Sequence, residues 1–166
     1  MIYLIRHAEP SIAGVLLGRL DPPLRSVPPP SELAVSSVFT SPLRRARDTA
    51  ASLFPLIQAT VLEELVEISL GEWDGLAWAQ VEQRDPALSA RKVEDWFSVT
   101  PPGGENYETI LRRAAASLTV VRQSAQPVAI VAHAGINAVL WQLLTGSAAA
   151  AYQQDYLEVK TYAYPD

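Results

Sequence analysis

The chain has 166 residues, 49% hydrophobic and 19% charged, a globular balance that excludes a disordered chain. With 13 basic and 18 acidic residues the net charge is −5, so no broad basic footprint for nucleic acid or anionic lipid exists. Cysteine is absent and histidine occurs twice, which removes disulfides, thiolate chemistry and Cys-based zinc sites and leaves too few ligands for a histidine-rich metal cage.

One domain is expected over residues 1–166, long enough to bury a core. No run reaches the roughly 18 apolar residues of a membrane span. The apolar start, Met1-Ile2-Tyr3-Leu4-Ile5, meets Arg6-His7 too soon for a signal peptide. A cytoplasmic protein without a membrane partner is the default expectation.

That first run has the pattern of a strand buried on both faces of a parallel sheet. The next stretch is unusual, because only ten residues separate Leu24 from Val35 and Pro28-Pro29-Pro30 sits among them. A proline triplet cannot run through a helix interior, so any crossover helix here is reduced or missing. Val35 to Thr40 reads as a second strand. A helix then runs to about Phe54, with Ser41 as N-cap and Pro42 in its first position. Ala59 to Leu62 reads as a third strand, Glu105 to about Ser124 as a long helix and Val128 to Ala132 as a fourth strand. Ile136 to Leu144 predicts a shorter helix ending before Gly146, and the alternation over Tyr156 to Tyr164 suits a half-exposed edge strand. Strands alternating with helices predict an α/β fold: a three-layer sandwich, with a mostly parallel central sheet and helices on both faces.

Both histidines follow buried apolar runs and precede a small residue, in Leu4-Ile5-Arg6-His7-Ala8 and Ile130-Val131-Ala132-His133-Ala134. In open α/β sheets ligands bind at the carboxyl ends of strands, and the chain's only two histidines occupy matching ends. In Ser41-Pro42-Leu43-Arg44-Arg45-Ala46-Arg47 three arginines crowd a helix N-terminus that already carries partial positive charge, an arrangement an anion such as phosphate would offset. For Arg44 and Arg47 a solvated face balanced by Asp48 is the simpler reading. The stretch Glu63 to Gly75 brings at least one carboxylate to the sheet's edge, and spacing alone does not choose among its five acids. Pro101-Pro102-Gly103-Gly104-Glu105 is a rigid turn opening the long helix.

Together these motifs resemble the histidine phosphatase, or phosphoglycerate-mutase-like, superfamily. Arg6-His7 is similar to its Arg-His-Gly signature, with Ala8 in the glycine's place. Ser41-Pro42-Leu43-Arg44-Arg45-Ala46 with Thr49-Ala50 resembles its arginine helix and assigns the family's arginine to Arg45. Leu65-Val66-Glu67 followed by Gly71-Glu72-Trp73-Asp74-Gly75 resembles its catalytic-acid loop and picks Glu67. Pro102-Gly103-Gly104-Glu105, and Val131-Ala132-His133-Ala134-Gly135 with alanine again for glycine, complete five pieces in the family's order.

The resemblance implies a metal-independent phosphatase without cofactor, acting on a small phosphomonoester. His7 would be the nucleophile that takes the phosphoryl group. Arg6, Arg45 and His133 would hold its oxygens, with Ala134 and Gly18 as further substrate contacts, and Glu67 would serve as acid and then base. The alanines at 8 and 134 preserve the geometry only if neither position needs a positive φ. The loop from Gly14 to Leu24, with His7-Ala8-Glu9-Pro10, leans towards the α-ribazole-phosphatase-like branch. A lid over about residues 68–102 is modest, which favours a phosphatase over a mutase that must shield its intermediate from water. The alternatives are a member that binds a phosphorylated ligand without turnover, or a phosphoglycerate-type mutase. Finally, the shortened 25–34 connection would leave part of a sheet face uncovered, and a homodimer through that face is expected.

Overall fold

The N-terminal apolar run forms β1 (Ile2–Arg6), and the equally apolar Val128–Ala132 forms β4; the two pair in parallel. The structure is a computed structural model that describes residues 1–164, so the last two positions of the expected 1–166 domain lie outside it. β2 (Ser37–Thr40) lies on the other side of β4, and β3 (Thr60–Val61) is a short edge beyond it, both parallel. β5 (Val159–Tyr162) closes the opposite edge against β1 and is antiparallel, giving the order β3-β2-β4-β1-β5. The central strands read as continuous apolar runs because helices cover both of their faces.

One face carries α4 (Tyr107–Arg122) and α5 (Ala134–Thr145), which pack on Ile2, Leu4, Phe39, Val128 and Ile130. Along α4 the buried positions Ile110, Ala114, Ser117, Leu118 and Val121 fall on one helical stripe. The other face carries α1 (Arg44–Leu53) over Val38, Ala129 and Val131. Between β3 and α4 lie a 3₁₀ turn at Gly71–Trp73 and two short helices, α2 (Trp78–Arg84) and α3 (Pro86–Glu94). This lid region is not loose: Trp73 is fully buried, donates from Nε1 to Asp85 Oδ2 at 2.7 Å and meets Trp78 edge-on.

Three helix starts differ from the sequence expectation, each for a tertiary reason. α1 begins at Arg44 with Leu43 as its N-cap and no side-chain cap. Ser41 is not the cap, because its hydroxyl lies 2.7 Å from His133 Nε2 while accepting the Leu43 N–H. α4 begins at Tyr107, not Glu105, with Asn106 Oδ1 accepting the Thr109 N–H. α5 begins two residues early, at Ala134, where a carboxylate meets its first free N–H groups.

The 25–34 connection holds no helix and runs as an extended strap. Ser31 N–H donates to Leu53 O at 2.9 Å and Ser52 Oγ donates to Pro28 O, tying the strap to α1. Leu33 and Val35 then pack against the cluster of Ile5, Val38 and Phe54. The strap thus does part of the missing helix's work, and the uncovered strip is narrower than expected. What stays open is Tyr3, half-buried, with Val159 on the neighbouring strand at 37% exposure. Among the described residues no helix is long and apolar enough to cross a membrane.

Candidate active site

Strand register builds the centre. In the β1–β4 pair Arg6 stands opposite Ala132, so the next residues, His7 and His133, leave the sheet side by side. The His7 N–H donates to Ala132 O at 2.9 Å, and the two imidazole rings meet edge-on with centroids 5.0 Å apart. The neighbouring strand ends at Thr40, which brings α1 and Arg45 in from the third side.

The hydrogen bonds of His7 fix its tautomer. Nδ1 lies 2.7 Å from Ala8 O, and a carbonyl can only accept, so Nδ1 carries the proton. Nε2 is left with its lone pair, which accepts from Arg45 Nε at 3.2 Å. Burial lowers the pKa of His7 from 6.5 to about 3, assisted by the charges of Arg45 and Arg6 and opposed by the Ala8 carbonyl. His7 is therefore a neutral imidazole at pH 7, with the protonation state of a nucleophile.

Arg45 is 1% exposed, and its other guanidinium nitrogens donate to the carbonyls of Leu20 and, at 2.9 Å, Gly18. Gly18 has φ +46°, and a Cβ there would run into the Asp74 carboxylate, so only glycine lets this loop turn beneath Arg45. Arg6 donates to Gln154 O at 2.7 Å and lies flat against the Tyr156 ring, 3.9 Å from its centre, while its buried Nε has no partner. His133 is fully buried beneath His7, with Nε2 against Ser41 and Nδ1 unpartnered. Burial, then the charges of Arg45 and its other neighbours, pushes its pKa well below 6.5.

Glu67 sits across the cavity on the N-terminus of α5. Its Oε1 accepts the N–H groups of Ile68 and Ile136 at 2.8 and 3.1 Å, and Oε2 accepts that of Gly135 at 3.2 Å. A Cβ on Gly135 would stand 2.7 Å from Glu67 Oε1, so glycine is required for this seat. The loop bearing Glu67 is braced from behind by Glu105 and Arg113. Arg113 pairs with both oxygens of Glu105, at 2.7 and 3.0 Å, and donates to the carbonyls of Glu64 and Val66 at 2.6 Å. Burial opposes ionisation of Glu105, but the hydrogen bond and charge of Arg113 outweigh it and hold the carboxyl below its usual range.

A cavity of about 370 Å³ opens over this centre and is lined by Arg6, His7, Gly18, Arg45, Glu67 and Ala134, together with apolar residues. Of the residues expected at the site, only His133 is not on the cavity wall; it lies behind His7. Ala8 and Ala134 have ordinary φ values, so neither alanine strains the backbone. Ala8 N–H, however, is engaged by Thr49 Oγ1 at 3.0 Å. Arg44 pairs with Asp48 at 3.1 Å, and it and Arg47 are exposed. Ser41 against His133, Arg113 behind Glu67 and Tyr156 against Arg6 hold places at the centre that local sequence rules do not show. Arg113 lies on α4 eight residues after Glu105, near enough in sequence to suggest its partner; Tyr156 opens the stretch expected as an edge strand, and its alternation gives no sign of a contact with Arg6.

The model of the histidine phosphatase superfamily (branch 1) matches residues 31–163. The chain belongs to the histidine phosphatase superfamily. The matched stretch begins inside the shortened connection, so Arg6 and His7 precede it and enter the centre through the β1–β4 pairing. Bifunctional protein Rv2228c of Mycobacterium tuberculosis is 42% identical over 81 residues, covering 48% of this chain and 22% of that protein. The chain therefore spans only about a fifth of that relative's length. Phosphoserine phosphatase 1 of Hydrogenobacter thermophilus is 30% identical over 147 residues, 80% of this chain and 70% of the relative. The crystal structure of a putative alpha-ribazole-5'-P phosphatase from Escherichia coli superposes with a TM-score of 0.78 at 24% identity, over 90% of this chain and 81% of the other, a likeness of fold.

A histidine phosphatase centre that keeps both histidines neutral should be sensitive to acid. The unfolded chain takes up protons on His7 and His133 below about pH 6.5 and the native chain does not, so stability falls as pH drops from about 6.5 towards 3. Glu105 loses its contribution only below its usual range, and Asp74, raised by burial, acts with the opposite sign, so the window from pH 7 to 5 reports chiefly the histidines. Urea unfolding across that window should show a slope of up to about 1.4 kcal/mol per pH unit for each histidine. A flat profile would contradict the neutral pair.

Proposed function

We propose that the protein is a metal-independent phosphatase that hydrolyses a small phosphomonoester through a phosphohistidine on His7. The observation that carries this reading is the unprotonated His7 Nε2, its lone pair left by the Nδ1–H to Ala8 hydrogen bond and met only by Arg45, at one end of a cavity with Glu67 across it. A phosphoryl group entering there would take the place of Nε2 as the acceptor from Arg45. Arg6 and Arg45 would hold its equatorial oxygens and stabilise the charge of the transition state, with His133 packed behind His7.

In the first step Nε2 bonds to phosphorus as the bond to the ester oxygen breaks, and protonated Glu67 gives its proton to that oxygen, releasing the alcohol. In the second step Glu67, now a carboxylate, takes a proton from water as the water oxygen bonds to phosphorus. The P–N bond breaks, and inorganic phosphate, neutral His7 and protonated Glu67 remain. The opening of the cavity to solvent between these steps suits water, rather than a second substrate, as the acceptor, which favours a phosphatase over a mutase. The likeness to phosphatases of several substrates supports the reaction class, and the α-ribazole-phosphatase-like branch stays our preference within it.

Hydrolysis of p-nitrophenyl phosphate is expected to survive excess EDTA in the wild-type chain and to fall by at least roughly 10³-fold in His7→Ala. Folded His7→Ala that retains activity would overturn the assignment. Binding of phosphate without turnover in the wild type would instead favour a phospho-ligand sensor.

A homodimer through the sheet face beside the strap is part of the same proposal. It is supported by the half-buried Tyr3 and the exposed Val159, which the β1–β5 pairing puts on that face. Sedimentation at micromolar concentration should give twice the chain mass, and Val159→Lys should shift it to the monomer. A wild-type monomer would remove the proposal.

A further inference from the structure

The cavity has two chemically distinct ends. Its charged lining side chains are Arg6, Arg45 and Glu67, and all three belong to the phosphoryl end. The other end is walled by Leu16, Leu17, Leu70, Trp96, Phe97 and Tyr152. No charged side chain is left there to pair with a carboxylate or an ammonium on the leaving group. An ion entering that end would lose water against indole, phenyl and leucine surfaces and gain nothing in exchange.

These walls are built by packing before any substrate arrives. Leu16 is tied to the lid by two main-chain hydrogen bonds, Leu16 N–H to Leu76 O at 2.8 Å and Gly75 N–H to Leu16 O at 2.7 Å. Trp96 lies over the Lys92 ammonium at 4.7 Å, which is itself buried and donates to Val99 O at 2.7 Å. Phe97 is held edge-on by Tyr107 at 5.6 Å, and Tyr152 lies tilted against Trp141 at 6.0 Å. The Tyr152 hydroxyl is buried away from the cavity surface, so Tyr152 presents only its ring to the apolar end.

From this juxtaposition we infer that the substrate's leaving group is an uncharged, largely apolar alcohol of about aromatic-ring size. It is not an amino acid or a sugar acid. The inference rests on the phosphatase reading for the position of the phosphoryl group, and it adds what lies beyond that group. A flat ring would rest against Trp96 and Phe97 while its phosphoryl end meets His7. Selectivity would then come from desolvation, since a charged analogue must leave an ion unpaired in the apolar end.

The test compares kcat/KM for benzyl phosphate, O-phosphoserine and 3-phosphoglycerate on the whole chain. Benzyl phosphate and O-phosphoserine both release primary alcohols, so leaving-group acidity does not decide the comparison. Benzyl phosphate should be preferred by roughly 100-fold, and Trp96→Ala should narrow that ratio to within about tenfold. A preference for O-phosphoserine or 3-phosphoglycerate overturns the inference while leaving the phosphatase reading intact. If none of the three is turned over, His7→Ala is titrated calorimetrically with benzyl phosphate and O-phosphoserine. Tighter binding of benzyl phosphate then supports the inference although hydrolysis has failed; equal, weaker or absent binding overturns it.

Discussion

A histidine can attack phosphorus only while its lone pair is unprotonated, and this chain meets that condition by taking His7 out of water between two arginines. Burial alone disfavours the imidazolium, and the positive charges of Arg45 and Arg6 add to the effect. The Ala8 carbonyl pulls the other way on the pKa, yet it is what holds the proton on Nδ1 and aims Nε2 at the cavity. Arg45 is held in turn by two carbonyls of the Gly18–Leu20 loop. The proposed nucleophile thus depends on a glycine turn eleven residues after it in the chain, and Gly18 matters both on the cavity wall and through Arg45.

The proposed acid, Glu67, is organised by a different principle. Glu67 is carried on a loop without regular structure, yet its carboxylate meets three backbone N–H groups, two of them at the start of α5. Behind it the Glu105–Arg113 pair clamps the carbonyls of Glu64 and Val66, so the loop's backbone is fixed at both ends of a short span. Because α5 begins directly after His133, one helix start fixes the second histidine relative to the acid. The Pro-Gly-Gly-Glu turn therefore contributes more than a helix boundary: its glutamate anchors the clamp.

Much of this was legible in the residues. β1 and β4 read clearly because double-sided burial leaves them continuously apolar, and the matching histidines follow from strand ends that lie side by side. The strap was legible as a missing helix, since three consecutive prolines exclude one. What it covers was not, because Leu33 and Val35 acquire their role only by folding against Phe54. Ser41 looked like a helix cap because local rules favour serine there, and a buried histidine outcompeted those rules for its hydroxyl. The apolar end of the cavity was illegible for another reason. Leu16, Trp96 and Tyr152 come from three separated loops whose residues have no shared period.

The most direct measurement is mass analysis of the protein caught during turnover. The wild-type chain and Glu67→Gln would be mixed with a hydrolysable phosphomonoester and quenched in alkaline denaturant, since phosphohistidine is labile in acid. The account predicts the added mass of one phosphoryl group on the peptide containing His7, in a larger fraction of Glu67→Gln molecules, and none on the peptide containing His133. Turnover with no phosphorylated peptide, or with the group on another residue, would contradict it.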